Sequence, residues 1–220
     1  MTDNIRFNSI CRRNGLELSE GQIETLQTYI RLLLEWNTKI NLISRNDTAN
    51  IWFNHILHSL SILFFVELRS GLKILDLGTG GGLPGIPLAI ARDDLKFTLV
   101  DSTRKKMMTI EDMVGKLNLG NVGFVTGRAE TLGESREFAR KYDVVVSRAV
   151  AQLKDLVRWS RPLLKSDDAR LIALKGGDMQ NELDAARFAS NARNIEVRNL
   201  VFDGSEEIGL EGKKIVTVYL

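Results

Sequence analysis

The run Ile74-Leu75-Asp76-Leu77-Gly78-Thr79-Gly80-Gly81-Gly82-Leu83-Pro84-Gly85 decides the fold. Apolar residues of strand character lead into a glycine-rich turn. Pro84 and Pro87 then sit where a helix begins, a place that tolerates a missing N–H. Toward the C-terminus, short β-branched runs alternate with helical stretches. Strands are expected over Lys73–Leu77, Phe97–Asp101, Val122–Thr126, Tyr142–Ser147, Arg170–Lys175, Ile195–Phe202 and Lys214–Tyr219, with helices between the first five and after the fifth. This alternation implies right-handed βαβ crossovers and a parallel sheet. Only Asp203–Gly212 separates the last two strands, too short for a crossover helix, so they should form an antiparallel hairpin at the sheet edge. Toward the N-terminus the pattern is helical. Ser19 and Gln22 form a capping box that opens a stretch carrying Ile23, Leu26, Ile30, Leu33, Leu34 and Ile40 at helical spacing. A second helix is expected from about Thr48 to Glu67, with Asp47 as its N-cap. The expected architecture is α/β: a Rossmann-like, mostly parallel seven-stranded sheet over residues 71–220, with an N-terminal helical extension over residues 1–70.

Composition narrows the class. The chain has 220 residues, 44% hydrophobic and 26% charged, ordinary for a globular protein able to bury a core of its own. Cys11 is the only cysteine, which leaves no internal disulfide or multi-thiolate zinc site and suggests a reducing compartment. The longest apolar run, Leu60 to Val66, is far shorter than the ~20 residues of a membrane span. The N-terminus lacks a basic-then-apolar signal pattern, so a cytoplasmic location is expected. The net charge of +2 is unevenly spread. Residues 1–70 hold 7 basic and 7 acidic side chains, whereas residues 101–175 hold 15 and 10. That central excess, including Arg104-Lys105-Lys106 and Arg140-Lys141, reads either as solvated helix faces or as a basic rim for phosphates.

The glycine turn implies a ligand. Glycines let the backbone approach it closely, and the following helix start offers N–H groups. Gly80-x-Gly82-x-x-Gly85 matches the dinucleotide fingerprint, and Asp101 stands at a strand end about 20 residues on, where a ribose-binding carboxylate belongs. A dinucleotide-dependent oxidoreductase is therefore one reading. S-adenosyl-L-methionine is the other, and Asp76 separates them. Read as facing the site, its carboxylate would repel a pyrophosphate and favour a ligand bearing an ammonium and a sulfonium. The antiparallel last hairpin resembles the seventh-strand insertion of class I methyltransferases. No Gly-Lys-Ser/Thr triplet supports a nucleotide-triphosphate loop.

Candidate methyl acceptors can be sorted by chemistry. Methylation at pyrimidine C5 needs a cysteine nucleophile. Cys11 lies in the N-terminal segment without a Pro-Cys context. Exocyclic-amine enzymes carry Asn/Asp-Pro-Pro-aromatic after the fourth strand, where this chain reads Ser147-Arg148-Ala149-Val150. Guanine N7 fits the absence of both signatures, because its free lone pair needs no general base and catalysis reduces to positioning and desolvation. Arg148 would orient the cofactor carboxylate or hydrogen-bond the guanine acceptors. A structural ion pair between Arg148 and Asp76 is the competing role.

Leu77-Gly78-Thr79-Gly80-Gly81-Gly82-Leu83-Pro84-Gly85-Ile86-Pro87-Leu88 closely resembles the RsmG family, also called glucose-inhibited division protein B. Further matches follow in the family's order: Trp36-Asn37 with Ile40-Asn41-Leu42, His55-Ile56-Leu57, Val100-Asp101-Ser102, Arg128-Ala129-Glu130, Ser147-Arg148-Ala149 and Ala173-Leu174-Lys175-Gly176. The resemblance implies a class I methyltransferase using S-adenosyl-L-methionine, with N7 of one guanine in 16S ribosomal RNA as acceptor. The partner is then the small ribosomal subunit or its precursor, met by a monomer. Carried over residue by residue, cofactor contacts fall on Gly78, Leu83, Ala129, Glu130 and Arg148, and Arg148 is the candidate catalytic residue. Gly80 and Asp101 join them from the glycine turn and the strand end.

The chain departs from the family pattern where Asn54-His55-Ile56-Leu57-His58-Ser59 replaces Arg-His-Ile-Leu-Asp-Ser, and where Lys213 or Lys214 replaces an arginine of the last hairpin. These changes bear on RNA docking more than on cofactor binding. His55 and His58 read as a helix-face contact to the catalytic domain, and Trp36, Trp52 and Trp159 as core. The Arg104-Lys105-Lys106 helix start, directly after the cofactor strand, is a candidate RNA phosphate contact.

Overall fold

The computed structural model describes residues 3–166, 169–189 and 194–220. Seven strands form one sheet: β1 Lys73–Leu77, β2 Lys96–Asp101, β3 Val122–Thr126, β4 Val144–Arg148, β5 Arg170–Gly176, β6 Asn194–Asn199 and β7 Lys213–Tyr219. Their order is β3-β2-β1-β4-β5-β7-β6. The first five strands are mutually parallel; β7 runs antiparallel between β5 and β6. All seven expected strands are present, and the closing hairpin has the expected direction. The differences lie at the ends. Tyr142 makes only an isolated bridge to Leu164, so β4 starts at Val144. β6 ends at Asn199, short of the expected Phe202.

Side chains along a strand alternate between the two faces of the sheet. Along β1, Ile74 points into one core and Leu75 and Leu77 into the other. Helices Gly85–Ala91 and Arg104–Lys116 cover the first face together with the N-terminal helices. Helices Leu153–Ser160 and Gln180–Ala189 cover the second. Central strands β1, β4 and β5 are buried on both faces, as parallel strands between two helical layers must be.

The helices Asp3–Arg13 and Glu20–Asn37 share the core of the first face, with Phe7, Leu26 and Leu33 fully buried among residues of the sheet. The capping box at Ser19 forms as expected: Gln22 N–H donates to Ser19 Oγ (3.2 Å) and Ser19 N–H to Gln22 Oε1 (2.9 Å). Gln22 Nε2 also donates to the carbonyls of Ile90 and Ala91, which ties this helix start to the end of helix Gly85–Ala91.

The second expected helix is not one helix. A 3₁₀ segment, Arg45–Asn50, precedes a π-helical turn, Trp52–Leu57, then short α turns at His58–Leu60 and Ile62–Phe65. Asp47 lies inside the 3₁₀ segment instead of capping a helix. Polar side chains add donors to the carbonyls of this segment. Ser59 Oγ donates to the His55 carbonyl and Ser61 Oγ to that of His58, both at 2.7 Å, and Arg148 reaches the Asn54 carbonyl from the sheet.

Candidate active site

The order reverses between β1 and β4, so strand connections leave in opposite directions there and open a crevice at the carboxyl ends. A cleft of about 480 Å³ occupies this place. The glycine turn from the end of β1 forms its floor. Asp101 from the end of β2, Ala129 and Glu130 after β3, and Arg148 from the end of β4 form its walls. All the expected site residues, Gly78, Gly80, Leu83, Asp101, Ala129, Glu130 and Arg148, line this one cleft.

The turn is shaped from both sides. Gly78 and Gly80 have φ of +74° and +57°, left-handed values that favour glycine. A Cβ on Gly78 would strike Val150 Cγ2 at 2.4 Å, whereas Gly80 has open space around it. The N–H groups of Gly78 and Thr79 both donate to the Val100 carbonyl at 2.8 Å. Tyr29, fully buried in helix Glu20–Asn37, donates its hydroxyl to the Gly81 carbonyl (2.9 Å), so the N-terminal segment braces the turn from behind.

Asp76 corrects the expectation drawn from it. It does not face the cleft but lies fully buried behind the turn. Its Oδ2 accepts from Thr79 Oγ1 (2.6 Å) and from Gly85 N (2.8 Å). Burial pushes its carboxyl up to about 6, against the lowering effect of those two hydrogen bonds. The N–H of Gly85, first residue of helix Gly85–Ala91, is taken by Asp76 instead of pointing at a ligand. A Cβ on Gly85 would also meet Leu99 Cδ2 at 2.3 Å, so this glycine serves helix-to-strand packing.

Asp101 divides its oxygens. Oδ2 accepts from Gly80 N (3.1 Å) and Oδ1 from Thr103 N (2.8 Å). It thereby links the turn to the start of helix Arg104–Lys116. Lys106 Nζ lies 4.0 Å from Asp101 Oδ2 and lines the cleft, while Lys105 and Arg104 are exposed. The basic triplet is thus split between the cleft and the outer surface.

Arg148 donates from Nη2 to His55 Nδ1 (2.7 Å) and from Nη1 to the Asn54 carbonyl (3.3 Å). Among the described residues it forms no ion pair, so the competing salt bridge to Asp76 is absent. Burial lowers its pKa from the ordinary arginine value. His55 contacts the sheet through Arg148, as the helix-face reading expected, while His58 lies within electrostatic reach of Arg148 and Lys213. Both are buried, at 7% and 6% exposure, and burial with the charge of Arg148 lowers them to about 4 and about 3.

The cleft also holds residues that the sequence reading did not assign to the cofactor site: Lys106, read there as an RNA phosphate contact, Trp159, read as core, and Arg128 and Val150. Arg128 is the N-cap of the one-turn helix Ala129–Leu132, and its place beside Ala129 and Glu130 at a strand end was a usable signal. Trp159 packs against the second core, as expected, and also lines the cleft wall, its indole N–H buried and without a hydrogen-bond partner among the described residues. Nothing local to helix Leu153–Ser160 signals that. Trp36 and Trp52 behave as expected. Trp36 Nε1 donates to Asp112 (2.8 Å) and Trp52 packs on Phe7 with ring centroids 4.8 Å apart.

A family model described as rRNA small subunit methyltransferase G matches residues 22–208. The chain is 43% identical over 185 residues to ribosomal RNA small subunit methyltransferase G of Chlorobium limicola, covering 84% of this chain and 81% of that protein. It is 42% identical over 214 residues to the same-named protein of Chlorobium chlorochromatii, covering 96% and 88%. Among solved structures, Aeropyrum pernix fibrillarin with natively bound S-adenosyl-L-methionine superposes with a TM-score of 0.53 at 16% identity, covering 74% of this chain and 73% of that one. Methanococcus jannaschii fibrillarin superposes with a TM-score of 0.56 at 12% identity, covering 72% of each. These likenesses place the sheet among class I methyltransferase folds. With the cleft residues in their expected positions and the match running over residues 22–208, the chain belongs to the rRNA small subunit methyltransferase G family.

Proposed function

We propose that the protein transfers a methyl group from S-adenosyl-L-methionine to N7 of one guanine in 16S ribosomal RNA, with the small subunit or its precursor as substrate. Membership of the family supports rRNA methyl transfer with this cofactor. One observation carries the reading to specific residues: seven side chains and glycines, chosen for this chemistry, converge on one cleft at the switch point of the sheet.

The cleft fits the cofactor. Gly80 leaves open space above a turn whose backbone can be approached closely. The carboxylates of Asp101 at the end of β2 and of Glu130 in the turn of helix after β3 suit a ligand with hydroxyls and an ammonium. When bound, the cofactor supplies an electrophilic methyl on a sulfonium.

In this reading Gly78, Gly80 and Leu83 form the seat, and Asp101 holds the ribose hydroxyls. Ala129 and Glu130 border the base. Arg148 orients the amino-acid end or the target guanine. Guanine N7 attacks in line with its own lone pair, so no residue removes a proton. The chain contributes orientation and the exclusion of water.

The test is incorporation of labelled methyl from S-adenosyl-L-methionine into small subunits lacking this modification, followed by nucleoside analysis. N7-methylguanosine in 16S RNA is the expected product. A methylated pyrimidine or exocyclic amine would overturn the acceptor assignment. Arg148→Ala should keep the fold and lower single-turnover transfer by about 100-fold, about 2.7 kcal/mol of transition-state stabilisation. Near-normal turnover would remove Arg148 from the site.

A further inference from the structure

The guanidinium of Arg148 is held by the N-terminal segment and not by the sheet that carries it. Its two hydrogen-bond partners, the His55 ring and the Asn54 carbonyl, are neighbours in the π-helical turn Trp52–Leu57. A π turn widens the helix, and such turns recur at functional sites. Here it brings a ring nitrogen and a main-chain carbonyl to the same guanidinium.

The chemistry of the pair settles which ring nitrogen does what. An arginine side chain only donates. His55 Nδ1, 2.7 Å from Nη2, must therefore be the lone-pair nitrogen, which places the ring proton on Nε2. A protonated ring would present N–H to N–H and lose the contact. The groups around the ring keep it neutral. Arg148, Lys213 and His58 bear on it from one side of the charge balance, and Asp47, which accepts from Asn54 Nδ2 at 3.4 Å, from the other. Burial dominates, and the ring stays neutral well below pH 7.

We infer that His55 is a positioning residue for the methyl-transfer site: as a neutral acceptor, with the Asn54 carbonyl, it fixes the Arg148 guanidinium at the cleft wall while leaving its positive charge free for an anionic or acceptor group of the bound ligands. A carboxylate in place of His55 would hold the guanidinium as firmly but would neutralise it. Two neutral acceptors fix its direction and preserve its charge. The inference rests on the placing of Arg148 in the site proposed above.

The experiment compares His55→Phe, which keeps ring bulk and loses the acceptor, with His55→Asn, whose Oδ1 falls near the place of Nδ1. His55→Gln, whose polar end falls nearer Nε2, is the control for polarity without the right position. Each is followed by denaturant melts, by the Arg148 guanidinium signal in ¹⁵N-arginine-labelled protein assigned through Arg148→Ala, and by single-turnover methyl transfer. In the wild type and His55→Asn the guanidinium signal should be resolved and slow to exchange. In His55→Phe and His55→Gln it should broaden or exchange fast.

Transfer should fall about tenfold in His55→Phe and return to within about threefold of wild type in His55→Asn. In an Arg148→Ala background, His55→Phe should add less than about twofold, since both changes remove one function. An unchanged guanidinium signal in folded His55→Phe would overturn the inference. So would a His55→Asn variant no better than His55→Gln, or a full tenfold loss repeated without Arg148. If His55→Phe does not fold, the Asn and Gln pair decides between the same outcomes. Normal turnover of Arg148→Ala would instead refute the proposed role of Arg148, and the guanidinium signal would still decide whether His55 holds it.

Discussion

At the scale of single residues, the most informative group is Asp76. Its carboxyl is buried, held up to about 6 by desolvation, and accepts two hydrogen bonds that shape the glycine turn. The folded value lies above the unfolded one of 3.8, so the native state binds the proton more tightly. The resulting stability is fully present below about pH 4 and is lost as pH rises through about 6. Relative to Asp76→Asn, the wild type should lose about 2–3 kcal/mol between pH 4 and pH 7, from 1.36 kcal/mol for each pH unit between the unfolded value of 3.8 and the folded value of about 6. Urea melts of both proteins across this range would measure it. A wild type that gains on the Asn variant as pH rises would show that Asp76 is a stabilised anion. Lys106 is the second residue whose surroundings only the structure shows. Its ammonium lies at Asp101 in the cleft, so Lys106→Ala should weaken S-adenosyl-L-methionine binding, whereas exposed Lys105→Ala should not. Lys105→Ala should instead make the salt dependence of subunit binding shallower by roughly one unit of slope. Calorimetry with the cofactor and binding titrations over salt separate the two.

At the scale of elements, the glycine turn is two devices in one. Gly80 opens on the cleft with φ of +57° and nothing within 4 Å of a Cβ. Gly85 is packed against Leu99 and Asp76. Gly80→Val therefore costs stability mainly through backbone strain, about 1–2 kcal/mol, while its branched side chain fills the space over the turn and abolishes cofactor binding. Gly85→Ala should do the opposite in kind. It must displace Leu99 or the Asp76 hydrogen bond, so the fold should be lost before affinity can be read. Melting curves and calorimetry on the two variants would show whether the functions separate this way. The broken helix over residues 45–65 is the other element with a consequence. Its irregular turn faces the end of β4 and supplies both partners of Arg148.

At the scale of the whole molecule, the N-terminal helices belong to the core of the sheet. Tyr29 holds the glycine turn, Gln22 holds the end of helix Gly85–Ala91, and Arg13 pairs with Asp203 in the connection between β6 and β7 (2.8 Å). Ligand binding in the cleft is therefore coupled to global stability. S-adenosyl-L-methionine at about 100 times its dissociation constant should add about 2.7 kcal/mol, a rise of roughly 5–10 °C in Tm for a chain of this size. A nicotinamide dinucleotide should leave Tm unchanged. A shift with the dinucleotide and none with S-adenosyl-L-methionine would overturn the cofactor assignment.

Sequence alone determined what local chemistry specifies. The short β-branched runs of β1, β4 and β5, the capping box at Ser19, the left-handed glycines at Gly78 and Gly80 and the short link before β7 each depend on residues a few positions apart. Strand-end residues were legible for the same reason: once the parallel order is known, Asp101, Glu130 and Arg148 must meet at one edge. Tertiary structure alone decided the direction of side chains and the partners that come from far along the chain. Asp76 turned inward because Thr79 and Gly85 offer it donors only after the turn has closed. Lys106 and Trp159 entered the cleft because of where their helices settle on the sheet. The contact of His55 with Arg148 joins residues 93 positions apart across two layers and is made from the π turn of the broken helix over 45–65. Such choices depend on packing between elements, which no spacing pattern within one element encodes.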